Sequence, residues 1–333
     1  MYAKRLCIAT VVCIGLTLGG YTVADAKSRF LKRLERVKMP QSVLLLGWAG
    51  GWLVLSTPSQ FVEVQKDDWR HPTTASISAN GNLVGTARGK SQGPHRESIA
   101  TYSVKDGKWT EYADTYETGS VAISPDGSTL AYNAMDELDR GYRLHIVNLA
   151  THVNRVVFAW PEKMALPGLS WSPDGKRLLY IAHDAQRNDR LEILDIESGE
   201  VRTVSEAGAH SPWGPPQAGM SASEQISMPA WSPSGEWIAY ITEKIPIQSK
   251  RANKCMLIRP DGSGTRTLTE SHGLYGLYWY APVWSPDSTK LFLTSPADVE
   301  LGTVNLLLVD IDTGTVTVKA KDTMPIIGWV RAN

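Results

Sequence analysis

The sequence predicts an all-β protein, and three observations carry that expectation. One short phrase returns five times: Ile77-Ser78-Ala79-Asn80-Gly81, Ile123-Ser124-Pro125-Asp126-Gly127, Trp171-Ser172-Pro173-Asp174-Gly175, Trp231-Ser232-Pro233-Ser234-Gly235 and Trp284-Ser285-Pro286-Asp287-Ser288. An apolar, β-prone run follows the phrase, as in Arg177-Leu178-Leu179-Tyr180-Ile181 and Trp237-Ile238-Ala239-Tyr240-Ile241, while helical periodicity is sustained nowhere. The copies are 46, 48, 60 and 53 residues apart, and Trp329 stands 45 residues after Trp284. Repeats of that length correspond to four-stranded blades, so the expected architecture is a single β-propeller of six four-stranded blades, with seven as the alternative.

The phrase explains itself as a turn. Proline fixes φ where the second turn position needs it, and glycine supplies a tight reversal, so Ser-Pro-Asp-Gly joins the first and second strands of a blade. The third and fourth strands follow in the same way. Leu191–Asp195 turns through Glu197-Ser198-Gly199 into Val201–Val204, and Leu306–Asp310 turns through Asp312-Thr313-Gly314 into Val316–Val318. The chain end offers one strand, Pro325–Val330, and the N-terminal region three, at Val43–Trp48, Trp52–Ser56 and Phe61–Gln65. Together they would form a sixth blade from both ends of the chain and leave no open edge at the seam. The seven-blade alternative takes Gly47-Trp48 and Gly51–Leu55 as the first and second strands of a blade of their own.

Composition excludes several function classes. Lys plus Arg and Asp plus Glu are both 34, which gives no basic surface for nucleic acid. Cys7 and Cys13 lie in an apolar leader, so Cys255 is alone in the remaining chain, and disulfide scaffolds and thiolate zinc sites fall away. Cys255, in the strand Lys254–Ile258, is expected to be a small buried hydrophobe. Lys4 and Arg5, the uncharged run Leu6–Gly20 and the triplet Ala24-Asp25-Ala26 form the three-part layout of a signal peptide over residues 1–26, cleaved after Ala26. The expected locale is periplasmic or secreted, without stable membrane insertion after cleavage. Residues 27–42 form a basic, solvated lead-in, and the propeller domain spans 43–333.

The search for chemistry is mostly negative. Gly85–Ser91 has three residues between its glycines where a phosphate-binding P-loop has four, and no helix is expected behind it. The seven histidines show no spacing that sets two on one metal, no Gly-x-Ser-x-Gly elbow occurs, and the turn aspartates are too far apart around a ring to share a calcium ion. No cofactor and no metal are expected. Of 12 tryptophans, Trp171, Trp231, Trp284, Trp329 and Trp48 read as packing between blades.

Propeller geometry separates two faces. Turns joining strands one to two and three to four share one face, and here they are short. Connections joining strands two to three, and each blade to the next, share the other face and are long and irregular: 88–97, 136–142, 183–190, 206–225, 243–253 and 270–280. Binding usually resides in such loops on a rigid scaffold. Two of them carry aromatic side chains that blade packing does not require. His210-Ser211-Pro212-Trp213-Gly214-Pro215-Pro216 is stiffened by three prolines, and the connection after the next blade carries Tyr275, Tyr278, Trp279 and Tyr280. These two connections flank one blade, and they are expected to form a single aromatic patch beside the funnel mouth.

The five Trp-Ser-Pro-Asp-Gly-like phrases resemble the WD-repeat-like blades of TolB-like propellers, and also those of the propeller domains in prolyl oligopeptidase-type peptidases, over residues 73–330. The resemblance departs from both at the chain ends. Residues 27–72 are too few for the α/β domain that precedes the TolB propeller, and no sequence remains after Trp329 for a hydrolase domain. The resemblance implies an exported, monomeric, non-enzymatic propeller that binds a protein or envelope component, a glycan among the candidates, on its long-loop face. The alternative is a polysaccharide lyase or hydrolase that uses the funnel, with His183, His210, Arg88 and Arg187 as candidate contacts.

Overall fold

The structure, a computed structural model, describes residues 42–48, 52–56, 61–66, 75–89, 96–135, 141–159, 168–183, 188–209, 224–244, 253–271, 281–298, 303–323 and 326–331. Among them every regular element is a strand, and no helix is long and apolar enough to cross a membrane. The chain opens with β1 (Ser42–Trp48), β2 (Trp52–Ser56) and β3 (Phe61–Lys66). Next come β4 (Ala75–Ile77), β5 (Leu83–Gly89), β6 (Glu97–Ser103) and β7 (Lys108–Thr115), then β8 (Glu117–Ile123), β9 (Thr129–Met135), β10 (Arg143–Asn148) and β11 (Asn154–Ala159). The middle of the chain supplies β12 (Ser170–Trp171), β13 (Arg177–His183), β14 (Asn188–Asp195) and β15 (Val201–Ala209), followed by β16 (Glu224–Trp231), β17 (Ile238–Lys244), β18 (Asn253–Ile258) and β19 (Arg266–Ser271). Last are β20 (Val283–Trp284), β21 (Lys290–Asp298), β22 (Thr303–Asp310), β23 (Val316–Thr323) and β24 (Ile326–Arg331).

Five four-stranded blades are built from consecutive strands, β4 to β7, β8 to β11, β12 to β15, β16 to β19 and β20 to β23. A further four-stranded sheet has the order β24-β1-β2-β3, with Ser42 opposite Arg331 and Val43 opposite Val330. Trp48 and Trp52 are backbone register partners in the β1–β2 pair of this one sheet. This corrects the seven-blade alternative, which gave these residues a blade of their own. The first strands of the sheets meet in order, β4 on β8, β8 on β12, β12 on β16, β16 on β20, β20 on β24 and β24 on β4.

The two-residue side-chain period of a strand places the core between the blades. Leu178 and Tyr180 of β13 pack backward with Ala131 and Leu144 of the preceding blade, while Leu179 and Ile181 pack forward with Ile226 and Ile238 of the next. The same alternation joins Ala239 and Leu257 to Leu291 and Val309. Leu55 and Val64 of the two-ended sheet pack on Val84 and Tyr102, with Ile327 against the same cluster. Each apolar layer therefore belongs to two blades, and neither blade can bury its face alone.

The tryptophan positions follow from this geometry. Trp171 and Trp284 are buried, and each indole Nε1 donates at 3.0 Å to a carbonyl of the preceding blade, that of Ala122 and Ala230 respectively. Trp231 is buried in the layer shared with the preceding blade, and Trp329 lies 4.8 Å from the ring of Phe292. Cys255 is fully buried in β18.

Candidate binding face

Among the described residues, the short turns are tied by hydrogen bonds of their own. In the second consecutive-strand blade, the Ser124 hydroxyl donates to Asp126 Oδ1 at 2.6 Å and accepts the Thr129 N–H at 2.9 Å, while Asp126 Oδ1 also accepts the Ser128 N–H at 3.0 Å. Ser285 and Asp287 repeat the arrangement, as do Ser172 with Asp174 and Ser78 with Asn80. These four serines, and Ser232 of the fourth copy, are buried. Hydrogen bonding from the Ser285 hydroxyl, ahead of the N–H and hydroxyl of Thr289, draws the Asp287 carboxyl down from 3.8 to about 2. The Ser124 hydroxyl lowers Asp126 in the same sense. These carboxylates are spent on their own turns, and among the described residues no group of three or more His, Cys, Asp or Glu could hold a metal ion. The last phrase residue closes each turn at positive φ, as Gly127 does at 73° and Gly175 at 68°. In the fifth copy Ser288 takes this position at 61°, and its hydroxyl accepts the Ser234 N–H of the preceding blade at 2.9 Å.

At the opposite ends of the strands three of the connections between blades are long. β11 to β12, β15 to β16 and β19 to β20 are separated by ten, fourteen and eleven residues. Several residues that the sequence reading gave to loops belong to strands. β15 runs on to Ala209, and β5 includes Arg88. Backbone pairing explains both: Arg88 is opposite Ser98 of β6, and Ala209 is opposite Asn188 of β14.

Of the residues expected to bind ligand, Trp213, Trp279, Tyr275, Tyr278, Tyr280, His210 and Arg187 lie outside the described residues. His183 ends β13, opposite Asp189, on the long-loop side. Arg88 is engaged within its own blade. Its guanidinium lies 4.4 Å over the Trp109 ring and 3.7 Å from the Glu111 carboxylate, both on β7. β15 leads into 210–223 before the blade of β16 to β19, β19 leads out of that blade into 272–282, and both connections join a fourth strand to the next first strand.

The structure also assembles polar groups that the sequence reading did not single out. Arg96 stacks 4.6 Å over the Tyr116 ring and donates to its hydroxyl at 2.9 Å. Glu97 Oε2 accepts the Thr118 N–H at 2.9 Å. Tyr142 is 2% exposed. Burial, then the charge of Glu117 and the hydrogen bond to it, then the charge of Glu97, hold its hydroxyl well above the usual tyrosine range. Further round, the buried carboxylate of Asp189 accepts the Ile226 N–H of the next blade at 2.8 Å. Arg96, Glu97, Tyr116, Glu117 and Tyr142 come from three separate strand ends and form no local motif.

The chain matches no protein-family model and no curated protein in sequence. Its fold is similar to that of TolB from Acinetobacter baumannii, with a TM-score of 0.63 and 14% identity over 87% of this chain and 66% of that one. It is also similar to a TolB-designated structure from Agrobacterium tumefaciens, with a TM-score of 0.57 and 19% identity over 86% of this chain and 91% of the other. A chain of a nidogen/laminin complex aligns over 88% of this chain and 98% of its own length, at a TM-score of 0.57 and 12% identity. This chain thus spans about two thirds of the Acinetobacter protein. At these identities the likeness concerns the backbone, and the fold is that of the TolB-like β-propellers.

Proposed function

We propose that the chain is an exported, non-enzymatic, monomeric propeller that binds a protein or cell-envelope ligand on its long-loop face. The observation that carries this reading is the difference between the two faces. The short turns repeat one self-satisfied hydrogen-bond network, whereas the connections at the other end differ from blade to blade and include the aromatic segments around Trp213 and Trp279. The similar chain in a nidogen/laminin complex supports a protein-binding use of such a scaffold.

In this reading residues 1–26 are a signal peptide removed after Ala26, the mature protein is periplasmic or secreted, and 27–42 is a solvated lead-in. The sheet β24-β1-β2-β3 acts as the sixth blade of a closed ring. The test is capture of a specific component from an envelope extract by the mature protein, repeated with Trp213→Ala and Trp279→Ala. Capture that these variants lose supports the proposal. Release of unsaturated or reducing sugar from a polysaccharide panel would replace it with the lyase or hydrolase reading.

A further inference from the structure

Asn80 and Gly81 form the one Asn-Gly pair in the sequence. They sit in the turn of the first phrase copy, where Asn80 takes the place that Asp126, Asp174 and Asp287 hold in the second, third and fifth copies. Asn-Gly is chemically labile. With no Cβ on the glycine to hinder it, the backbone nitrogen of Gly81 can attack Cγ of Asn80. That nitrogen gives up its proton, the side-chain nitrogen leaves as ammonia, and a succinimide ring joins the two residues. Water then opens either ring carbonyl, which yields aspartate or isoaspartate.

The fold opposes the first step. The Gly81 N–H donates to the Ser78 carbonyl at 2.8 Å, and Gly81 is buried at a φ of 72°. Asn80 Oδ1 accepts the Ser78 hydroxyl at 2.7 Å and the Asn82 N–H at 3.0 Å. The attacking nitrogen and the attacked amide are thus held by separate bonds, and ring closure waits for the turn to open.

The same turn accommodates one product and rejects the other. Asp126 Oδ1 accepts the Ser124 hydroxyl at 2.6 Å and the Ser128 N–H at 3.0 Å, the two bonds that Asn80 makes in its own turn. The Ser124 hydroxyl, then the Ser128 N–H, hold the Asp126 carboxyl below the usual carboxylate range, so the arrangement favours the charged group. An aspartate formed from Asn80 inherits this cradle. Isoaspartate instead carries the main chain through the side-chain methylene, which lengthens the turn and draws the Gly81 N–H away from the Ser78 carbonyl.

We propose that Asn80 is a site of spontaneous deamidation that folding closes, so that opening of the first blade's turn is recorded covalently. The aspartate product refolds into the turn and the isoaspartate product does not. The site lies on a short turn and is independent of the ligand reading.

Peptide mapping by mass spectrometry, on the protein held at mildly alkaline pH in buffer and in urea, tests it. Conversion of Asn80 should be slower in buffer by about tenfold or more, because a hydrogen-bonded turn is open only a small fraction of the time. Asn80→Asp, which supplies the aspartate product directly, should melt at or above the native temperature at neutral pH. Once urea is removed, molecules that carry isoaspartate should melt below those that carry aspartate. Equal rates in buffer and urea, no conversion in urea, an Asn80→Asp protein that melts well below the native one, or isoaspartate molecules that melt with the aspartate ones would each overturn the proposal.

Discussion

The indole Nε1 of Trp171 donates to the backbone carbonyl of Ala122 across the gap between two blades, at 3.0 Å. Trp284 makes the same bond to Ala230 two blades on. Serine hydroxyls bridge blades as well: Ser76 Oγ accepts the Ile123 N–H at 2.8 Å, Ser120 Oγ accepts the Leu169 N–H at 3.1 Å at the same junction as Trp171, and Ser170 Oγ accepts the Trp231 N–H at 3.0 Å. In each case a polar group at the ring's inner edge is satisfied by the neighbouring blade, which couples the blades through more than apolar contact.

Trp171→Phe keeps most of the ring's volume and removes the donor to Ala122. The buried carbonyl left without it should cost about 1–3 kcal/mol, read as a lower denaturation midpoint at unchanged denaturant slope. A midpoint equal to that of the native protein would show that water or a neighbouring donor replaces the indole.

Asp287 gives a pH dependence with a definite sign. Its folded value of about 2 lies below the ordinary 3.8, so its ionised form stabilises the fold at pH values above about 4, and that contribution is lost as pH falls toward 2. Asp287→Asn retains an oxygen acceptor at the same place and should flatten the fall in melting temperature between pH 4 and pH 2. An unchanged slope would mean that the turn hydrogen bonds are equally strong in the unfolded chain.

Cys255 is buried in the apolar layer between two blades, and burial pushes its thiol up to about 12. It should react with a thiol reagent only on unfolding, at the unfolding rate. Fast labelling of the native protein would place β18 wrongly.

Trp213→Ala and Trp279→Ala should each weaken binding of the captured ligand by about 2 kcal/mol or more, with less effect on folding. A drop in melting temperature with affinity intact would assign these rings to the blade beneath them.

Hydrogen exchange bears on the closure of the ring. Ile326 is almost wholly buried, and Trp329 packs on Phe292, so residues 326–330 should be as protected as the core strands β9 and β13. Exchange as fast as that of a free chain end would open the seam.

The blade architecture was legible because its cause is local. Ser-Pro-Asp-Gly encodes a turn through proline, glycine and a serine–aspartate bond two residues apart, and the alternation by which Leu178 and Tyr180 pack on one neighbouring blade and Leu179 and Ile181 on the other is a property of consecutive residues. The two-ended sheet was legible because a lone strand at the chain end needs partners. Loop limits were harder to read. Arg88 and Ala209 are held in strands by their pairing with Ser98 and Asn188, which local composition does not report. The Arg96–Tyr116 pair was hidden for a related reason. Arg96 meets Tyr116 only because propeller topology returns two strand ends to one rim, and no spacing within the sequence marks them.

The central claim is that ligand binds on the face of long connections. Hydrogen–deuterium exchange of the mature protein, with and without the captured envelope component, tests it most directly. The account predicts new protection in 206–225 and 270–280, with the turns at 124–127, 172–175 and 285–288 unchanged. Protection confined to those turns would contradict it.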